Sequence, residues 1–185
     1  SSRIMFTSPF LSVQILSSLT LLGDIIFFIL LILFFFGKGE VYREVFDVIG
    51  RYALHAGALI SFGALTGSLL FSNVIGFVPC ELCWIQRIFI YPQAFLFAIA
   101  LYKKDEAVVD YSLVLSSLGL IVALYHSYIQ WGGGSLIPCA AEGAECSKIF
   151  FMEFGYITIP VMSLTAFAYL LLLMFIRRRF SAGKN

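Results

Sequence analysis

Long runs of apolar residues dominate this chain, separated by a few short polar stretches. A helix needs about 20 mostly apolar residues to cross the hydrocarbon of a bilayer. Five runs meet that requirement, at 10–36, 52–78, 84–102, 108–129 and 157–176. Between them lie GKGEVYREVFDVIGR at 37–51, a tight PCELC at 79–83, KKDEA at 103–107 and a Gly-rich segment at 132–156. The pattern predicts an all-α integral membrane protein whose only sizeable surface segment is 132–156. The first run is too long and too poorly flanked for a cleavable signal and is expected to be a retained helix.

Composition agrees with the pattern. Of 185 residues, 61% are hydrophobic and 12% charged, and the mean hydropathy is +0.96. So little charge cannot coat a water-soluble globule, which excludes a soluble enzyme or a disordered tail. A net charge of +1 gives no electrostatic footprint for nucleic acid, so no nucleic-acid partner is expected. The partner implied everywhere is the lipid bilayer.

Basic residues set the expected orientation, because Lys and Arg are retained on the cytoplasmic side during insertion. Placing 37–51, 103–107 and the C-terminal tail inside puts Lys38, Arg43, Arg51, Lys103, Lys104, Arg177, Arg178, Arg179 and Lys184 there, against Arg3, Arg87 and Lys148 outside. The N-terminus is then outside and the C-terminus inside. All four cysteines, Cys80, Cys83, Cys139 and Cys146, fall at the extracytoplasmic surface, where disulfides persist.

Cys80-Glu81-Leu82-Cys83 follows Pro79 at the start of the third run, a position suited to a helix start. Partial positive charge and free N–H groups there favour thiolate, the reactive form of cysteine. Continued helically, Cys80, Cys83 and Arg87 at i, i+3 and i+7 share one face, where Arg87 is expected to stabilise a Cys83 thiolate and to donate to a carbonyl-bearing ligand. A snorkelling arginine is the plain alternative. Cys139 and Cys146 are separated by AAEGAE, long enough to turn back into a disulfide. Spacing alone leaves structural staples and redox chemistry equally open; a four-thiolate zinc site has loose spacing, and no metal is expected.

The remaining polar residues divide unevenly. His126, near the outer end of the fourth run, fits a ligand to a carbonyl or a helix-packing histidine. His55 reads as interfacial. Asp24, an acid inside the first run, is expected to be paired or functional, with no assignable role. SFGALTGS (61–68) and SSLG (116–119) read as small residues for close helix approach, and the Phe-rich run 27–36 as lipid-facing.

CELCWIQR, an aromatic-rich helix, a short basic turn, ALYHSYIQ, a looped cysteine pair and FGYITIPVMSL together resemble the DsbB family of disulfide-generating membrane oxidoreductases, in particular its short-looped BdbC branch. The resemblance covers roughly 55–176. It implies a DsbB-type four-helix transmembrane bundle over 52–185 with a redox loop at 132–156, and an added N-terminal transmembrane helix with its cytoplasmic loop over 1–51. It also implies a quinone-dependent thiol oxidase of the bacterial cytoplasmic membrane that reoxidises a DsbA/BdbD-like thioredoxin-fold protein and passes electrons to ubiquinone or menaquinone. Carried over, the partner reduces Cys139, Cys146 passes electrons to Cys80, and Cys83 stands beside a quinone contacted by Gln86, Arg87, His126 and Ile159, with Pro160 at the same helix start. A vitamin K epoxide reductase-like enzyme would carry its CxxC after the loop pair, not before it. A membrane scaffold with structural disulfides is the non-enzymatic alternative.

Overall fold

A computed structural model describes residues 2–134 and 145–180, with side chains from residue 11 onward. Its helices are α1 (Ser2–Phe36), α2 (Glu40–Leu69, continued by a π-helical turn at Leu70–Val74), α3 (Glu81–Lys103), α4 (Val108–Gln130) and α5 (Ile159–Phe180). All five are long and apolar enough to cross a membrane. The all-α membrane architecture is therefore as predicted.

One connection differs from expectation. Segment 37–51 is helical from Glu40 rather than a loop. Tyr42, Phe46, Ile49 and Ala53 fall at 4-3-4 spacing on the inward side, while Arg43, Glu44 and Arg51 point outward. Glu40–Val74 comprises 35 residues, about 52 Å of helix against a hydrocarbon layer of roughly 30 Å. The amphipathic first turns therefore extend beyond the membrane. The chain reverses before them at Gly37-Lys38-Gly39, where Gly39 takes φ 105, conformational space in which glycine is unstrained.

Helices α2, α3, α4 and α5 close a ring in chain order, with α1 outside it against α5. Ala53, Leu54, Phe97, Ala123, Phe167, Leu170 and Met174 form the buried centre. Inside a membrane the apolar effect does not discriminate helix from lipid, so small residues and interhelical hydrogen bonds have to select the pairing. Both occur between α3 and its neighbours. Gln93 Oε1 accepts from Ser112 at 2.6 Å and from Ser116 at 3.1 Å, and Gly57 meets the Phe97 ring so closely that a Cβ would stand 2.8 Å from it.

A charged knot ties the end opposite the CxxC. Arg177 of α5 grips Glu106 with both Nε and Nη2 and donates Nη1 to the carbonyls of Gly50 at 2.8 Å and Arg51 at 3.2 Å. That hydrogen bonding holds the Glu106 carboxyl below the usual carboxylate range. One residue thus joins α2, the α3–α4 turn and α5.

Candidate active site

Pro79 and Cys80 end the extended link from the π-helical turn, and Cys80 caps α3 with φ −80 and ψ 173. Cys80 is therefore not yet on the helix, and the predicted i, i+3, i+7 alignment holds only from Cys83 to Arg87. The free thiols Cys80 and Cys83 have their sulfurs 3.0 Å apart, about 1 Å beyond a disulfide bond length. Cys83 lies in the first turn of α3.

Cys80 faces α4. Its Sγ lies 3.6 Å from His126 Nε2, and the same nitrogen is 3.2 Å from the Cys146 carbonyl oxygen. Gln86 Nε2 lies 3.0 Å from His126 Nδ1. With the Gln86 amide nitrogen donating, Nδ1 is the acceptor and the proton sits on Nε2, directed at Cys80 and the Cys146 carbonyl. The hydrogen bond from Cys83, opposed by burial and reinforced by His126, draws the Cys80 thiol well below the usual thiol range. Cys80 is accordingly the thiolate of the pair. Cys146 is disulfide-bonded and shares one buried cluster with Cys80, Leu82 and Ile129.

Cys83, unlike Cys80, lines a cavity of about 500 Å³ between α1, α2, α3 and α5. Gln86, Arg87, Ile90 and Ile159 line it beside Cys83. Phe71 of the π-helical turn, Phe77 and Phe150 also line it, with Phe77 and Phe150 stacked at 4.7 Å between centroids. Arg87 donates Nε to Ser68 Oγ at 2.9 Å and Nη2 to the Ser68 carbonyl at 3.3 Å, and lies 4.8 Å from the Trp84 ring centroid. Its charge is fixed at the cavity wall rather than trailing to the surface. Gly63 and Gly67 of α2 also line the cavity, and a Cβ at either would meet nothing within 4 Å.

A family model for Disulfide bond formation protein DsbB matches residues 50–177, more than half of the chain. The chain belongs to the DsbB family. It is 40% identical over 122 residues to Probable disulfide formation protein C 1 of Bacillus cereus, a match covering 63% of this chain and 85% of that protein. Disulfide bond formation protein C of Bacillus subtilis is 37% identical over 123 residues, 65% of this chain and 88% of that one. SPbeta prophage-derived disulfide bond formation protein B of Bacillus subtilis is 42% identical over 109 residues, with 59% and 74% covered. No solved structure matches the chain. As a DsbB-family protein with five apolar helices, it is a multi-pass membrane protein of disulfide oxidation, an oxidoreductase acting on thiols.

Several expected residues of this DsbB-family site come together and one changes neighbours. Cys83, Gln86, Arg87 and Ile159 line one cavity, and Pro160 is buried at the start of α5 behind Ile159. His126, expected beside a quinone, is not among the residues lining it; its bonds run to Gln86 and the Cys146 carbonyl, with Cys80 alongside. Cys139 lies outside the described residues. Cys80, Cys83 and His126 hold their donor atoms within 4.8 Å of one another, a separation that their hydrogen bonds account for. His55 is exposed beside Tyr52, 6.1 Å between rings.

Two sequence readings are corrected. The glycines of SFGALTGS do not serve close helix approach, since Gly63 and Gly67 open onto the cavity, whereas Gly119 of SSLG does pack against the Phe167 ring. The Phe-rich run is only partly lipid-facing: Phe28, Phe35 and Phe36 are exposed, but Phe27 meets Tyr169 at 5.2 Å and Phe34 meets Phe46 at 5.8 Å. Ser68 was read only as one of the small residues of SFGALTGS, and its role as the partner of Arg87 was missed.

Proposed function

We propose that this membrane thiol oxidase reoxidises an extracytoplasmic, DsbA/BdbD-like thioredoxin-fold dithiol protein and delivers the electrons to a membrane quinone, ubiquinone or menaquinone, bound beside Cys83. The observation carrying this reading is the different surroundings of the two touching CxxC sulfurs: Cys83 lines the cavity, while Cys80 meets His126 and belongs to the buried cluster containing Cys146. The motif thus links an outer disulfide to a space within the bundle.

The cavity suits a flat, mostly apolar ring with carbonyl oxygens. Gly63 and Gly67 leave room that side chains would fill, the walls are largely hydrocarbon, and Arg87 supplies a fixed cation. Arg87 uses two of its donors on Ser68, and a guanidinium carries five. Gln86 bridges the cavity wall and His126. A bound quinone would supply the sink for two electrons and two protons, so that partner dithiol plus quinone yields partner disulfide plus quinol.

In the chain itself, the partner's thiolate attacks Cys139 of the Cys139–Cys146 disulfide, forming a mixed disulfide and releasing Cys146 as thiolate. The partner's second thiol then resolves that bond and leaves oxidised. The Cys146 thiolate attacks Cys80 of an oxidised Cys80–Cys83 pair, releasing Cys83 as thiolate beside the cavity, and Cys139 then attacks Cys146 of that mixed disulfide, restoring Cys139–Cys146 and leaving Cys80 and Cys83 carrying the two electrons. His126 acts in this reading on Cys80 rather than on the quinone. Its Nε2–H stabilises negative charge on Cys80, and its bond to the Cys146 carbonyl holds the two pairs in register.

The reading also places the CxxC end outside a bacterial cytoplasmic membrane, with the Arg177 knot inside, consistent with the positive-inside rule. Purified protein with a reduced thioredoxin-fold dithiol partner tests it. Partner oxidation should require added quinone; oxidation at the same rate without quinone, or none with it, would contradict the reading.

A further inference from the structure

We propose that α1 is a functional wall of the quinone cavity and that Asp24 is the positioning residue that fixes it there. The inference rests on the reading that a quinone occupies this cavity. The family match begins at residue 50 and assigns nothing to α1.

Helix α1 is apolar around most of its circumference, so hydrophobicity cannot tell it which side to turn to the bundle. A seam is nevertheless present. Val13, Ser17, Thr20, Asp24, Phe27, Leu31 and Phe34 are its sheltered stripe, spaced 4-3-4-3-4-3, the repeat by which two helices stay in contact over many turns. Halfway along, Asp24 Oδ2 accepts the Tyr156 hydroxyl at 2.9 Å and Oδ1 accepts the Thr165 hydroxyl at 2.7 Å, while Tyr169 donates to the Gly23 carbonyl at 2.5 Å. Three donors from α5 and the turn before it converge on two adjacent residues. Phe154 and Gly155, at φ 51 and 78, make the tight turn that presents Tyr156. Burial and Asp24 both raise the Tyr156 phenol, which keeps it a protonated donor.

This clasp borders the cavity. Leu16, Leu19, Thr20 and Gly23 of α1 line it together with Thr165 and Tyr169, on a space shared with Cys83 and Arg87. On the opposite wall, Gly63 and Gly67 have no neighbour where a Cβ would stand. Between these walls, α1 and α2 are separated by the cavity. An acid within a membrane span is costly unless it is partnered and useful; here it holds a wall against the bundle. Without α1 in place the cavity would open to lipid between α2 and α5, so the clasp governs how firmly a quinone is retained.

The test uses the full chain in lipid nanodiscs with a photoreactive quinone analogue and peptide mapping. Adducts should fall within 16–23 as well as on α2 and α5. Asp24→Ala should weaken the α1 adduct and raise the apparent quinone KM about fivefold, a typical effect of losing interhelical hydrogen bonds in a membrane, with kcat at saturating quinone unchanged. Asp24→Asn can still accept from Thr165 and can donate to the Tyr156 oxygen, so it should restore both the adduct and the KM. If Asp24→Ala does not fold, Tyr156→Phe and Thr165→Val each remove one bond and should raise KM to a smaller extent. Adducts confined to α2, α3 and α5 with normal wild-type turnover would overturn the role of α1 alone, as would unchanged KM in every foldable variant. No adduct and no quinone reduction in the wild type would instead overturn the quinone reading itself.

Discussion

Cys80 and Cys83 are joined by a 3.0 Å contact between sulfurs, and beyond that contact their neighbours differ: Cys80 meets His126, whereas Cys83 lines the cavity. The cause is local. Cys80 is the extended cap of α3 and Cys83 its first-turn residue, so a single turn of backbone divides the outer loop from the interior of the bundle. In the proposed function, disulfide exchange at Cys80 and electron delivery from Cys83 then need no large movement.

The first prediction concerns charge on Cys80. A lowered thiol pKa means that thiolate persists above it and is lost only as pH falls through it. With the Cys80 thiol drawn below the usual range, the ultraviolet absorbance of thiolate in the reduced CxxC, taken as the difference from Cys80→Ala, should already be full at neutral pH and be lost only in acid. His126→Ala should move the midpoint upward. A wild-type midpoint near the ordinary thiol value would remove the assigned hydrogen bonding.

Arg87 offers a sharper substitution than simple removal. Lysine keeps the positive charge but not the planar fork that reaches Ser68 with two nitrogens. Arg87→Lys should raise the quinone KM with the fold intact, and Arg87→Ala should raise it further. A Lys variant with wild-type KM and turnover would reduce Arg87 to a membrane anchor.

Two glycines separate cavity from packing. Gly67→Leu projects into open space and should lower kcat/KM for quinone by roughly tenfold while leaving thermal stability nearly unchanged, because it overpacks nothing. Gly119→Ala runs into the Phe167 ring and should instead cost about 1–3 kcal/mol of stability. Thermal unfolding and quinone titration on both variants check the pair, and equal stability losses would contradict the cavity.

Topology is tested with a cysteine introduced at Lys104. An impermeant thiol reagent should fail to reach it from outside intact cells. Labelling from outside would invert the bundle and place the redox cysteines on the cytoplasmic side.

Much of this molecule is legible in its amino-acid order, and the gaps have physical reasons. Five spans follow from apolar runs alone, because a bilayer imposes a length. The helical start at Glu40 was hidden by charge: the stripe Tyr42, Phe46, Ile49, Ala53 was present, but Arg43, Glu44 and Arg51 between its members made the segment read as a loop. Helix rotation was the hardest quantity to read. His126 on α4 and Gly63 on α2 sit among mixed apolar and small polar neighbours, Ser127 and Gln130 for the one and Ser61 and Thr66 for the other, so nothing in their own segments says whether they turn to the cysteines, the cavity or lipid. Asp24 stood out as an anomaly, but its partners Tyr156 and Thr165 lie more than 130 residues away. Cys83 and Arg87, one turn apart on a helix that starts after Pro79, were legible because that spacing leaves little choice.

Single-turnover quinone reduction by chemically reduced protein tests the central claim, that the CxxC joins an outer disulfide to a quinone cavity. Cys139→Ala should still reduce quinone in one turnover through Cys80 and Cys83 while losing oxidation of the protein partner, and Cys83→Ala should lose quinone reduction altogether. Quinone reduction by Cys83→Ala at the rate seen in Cys139→Ala would contradict the account.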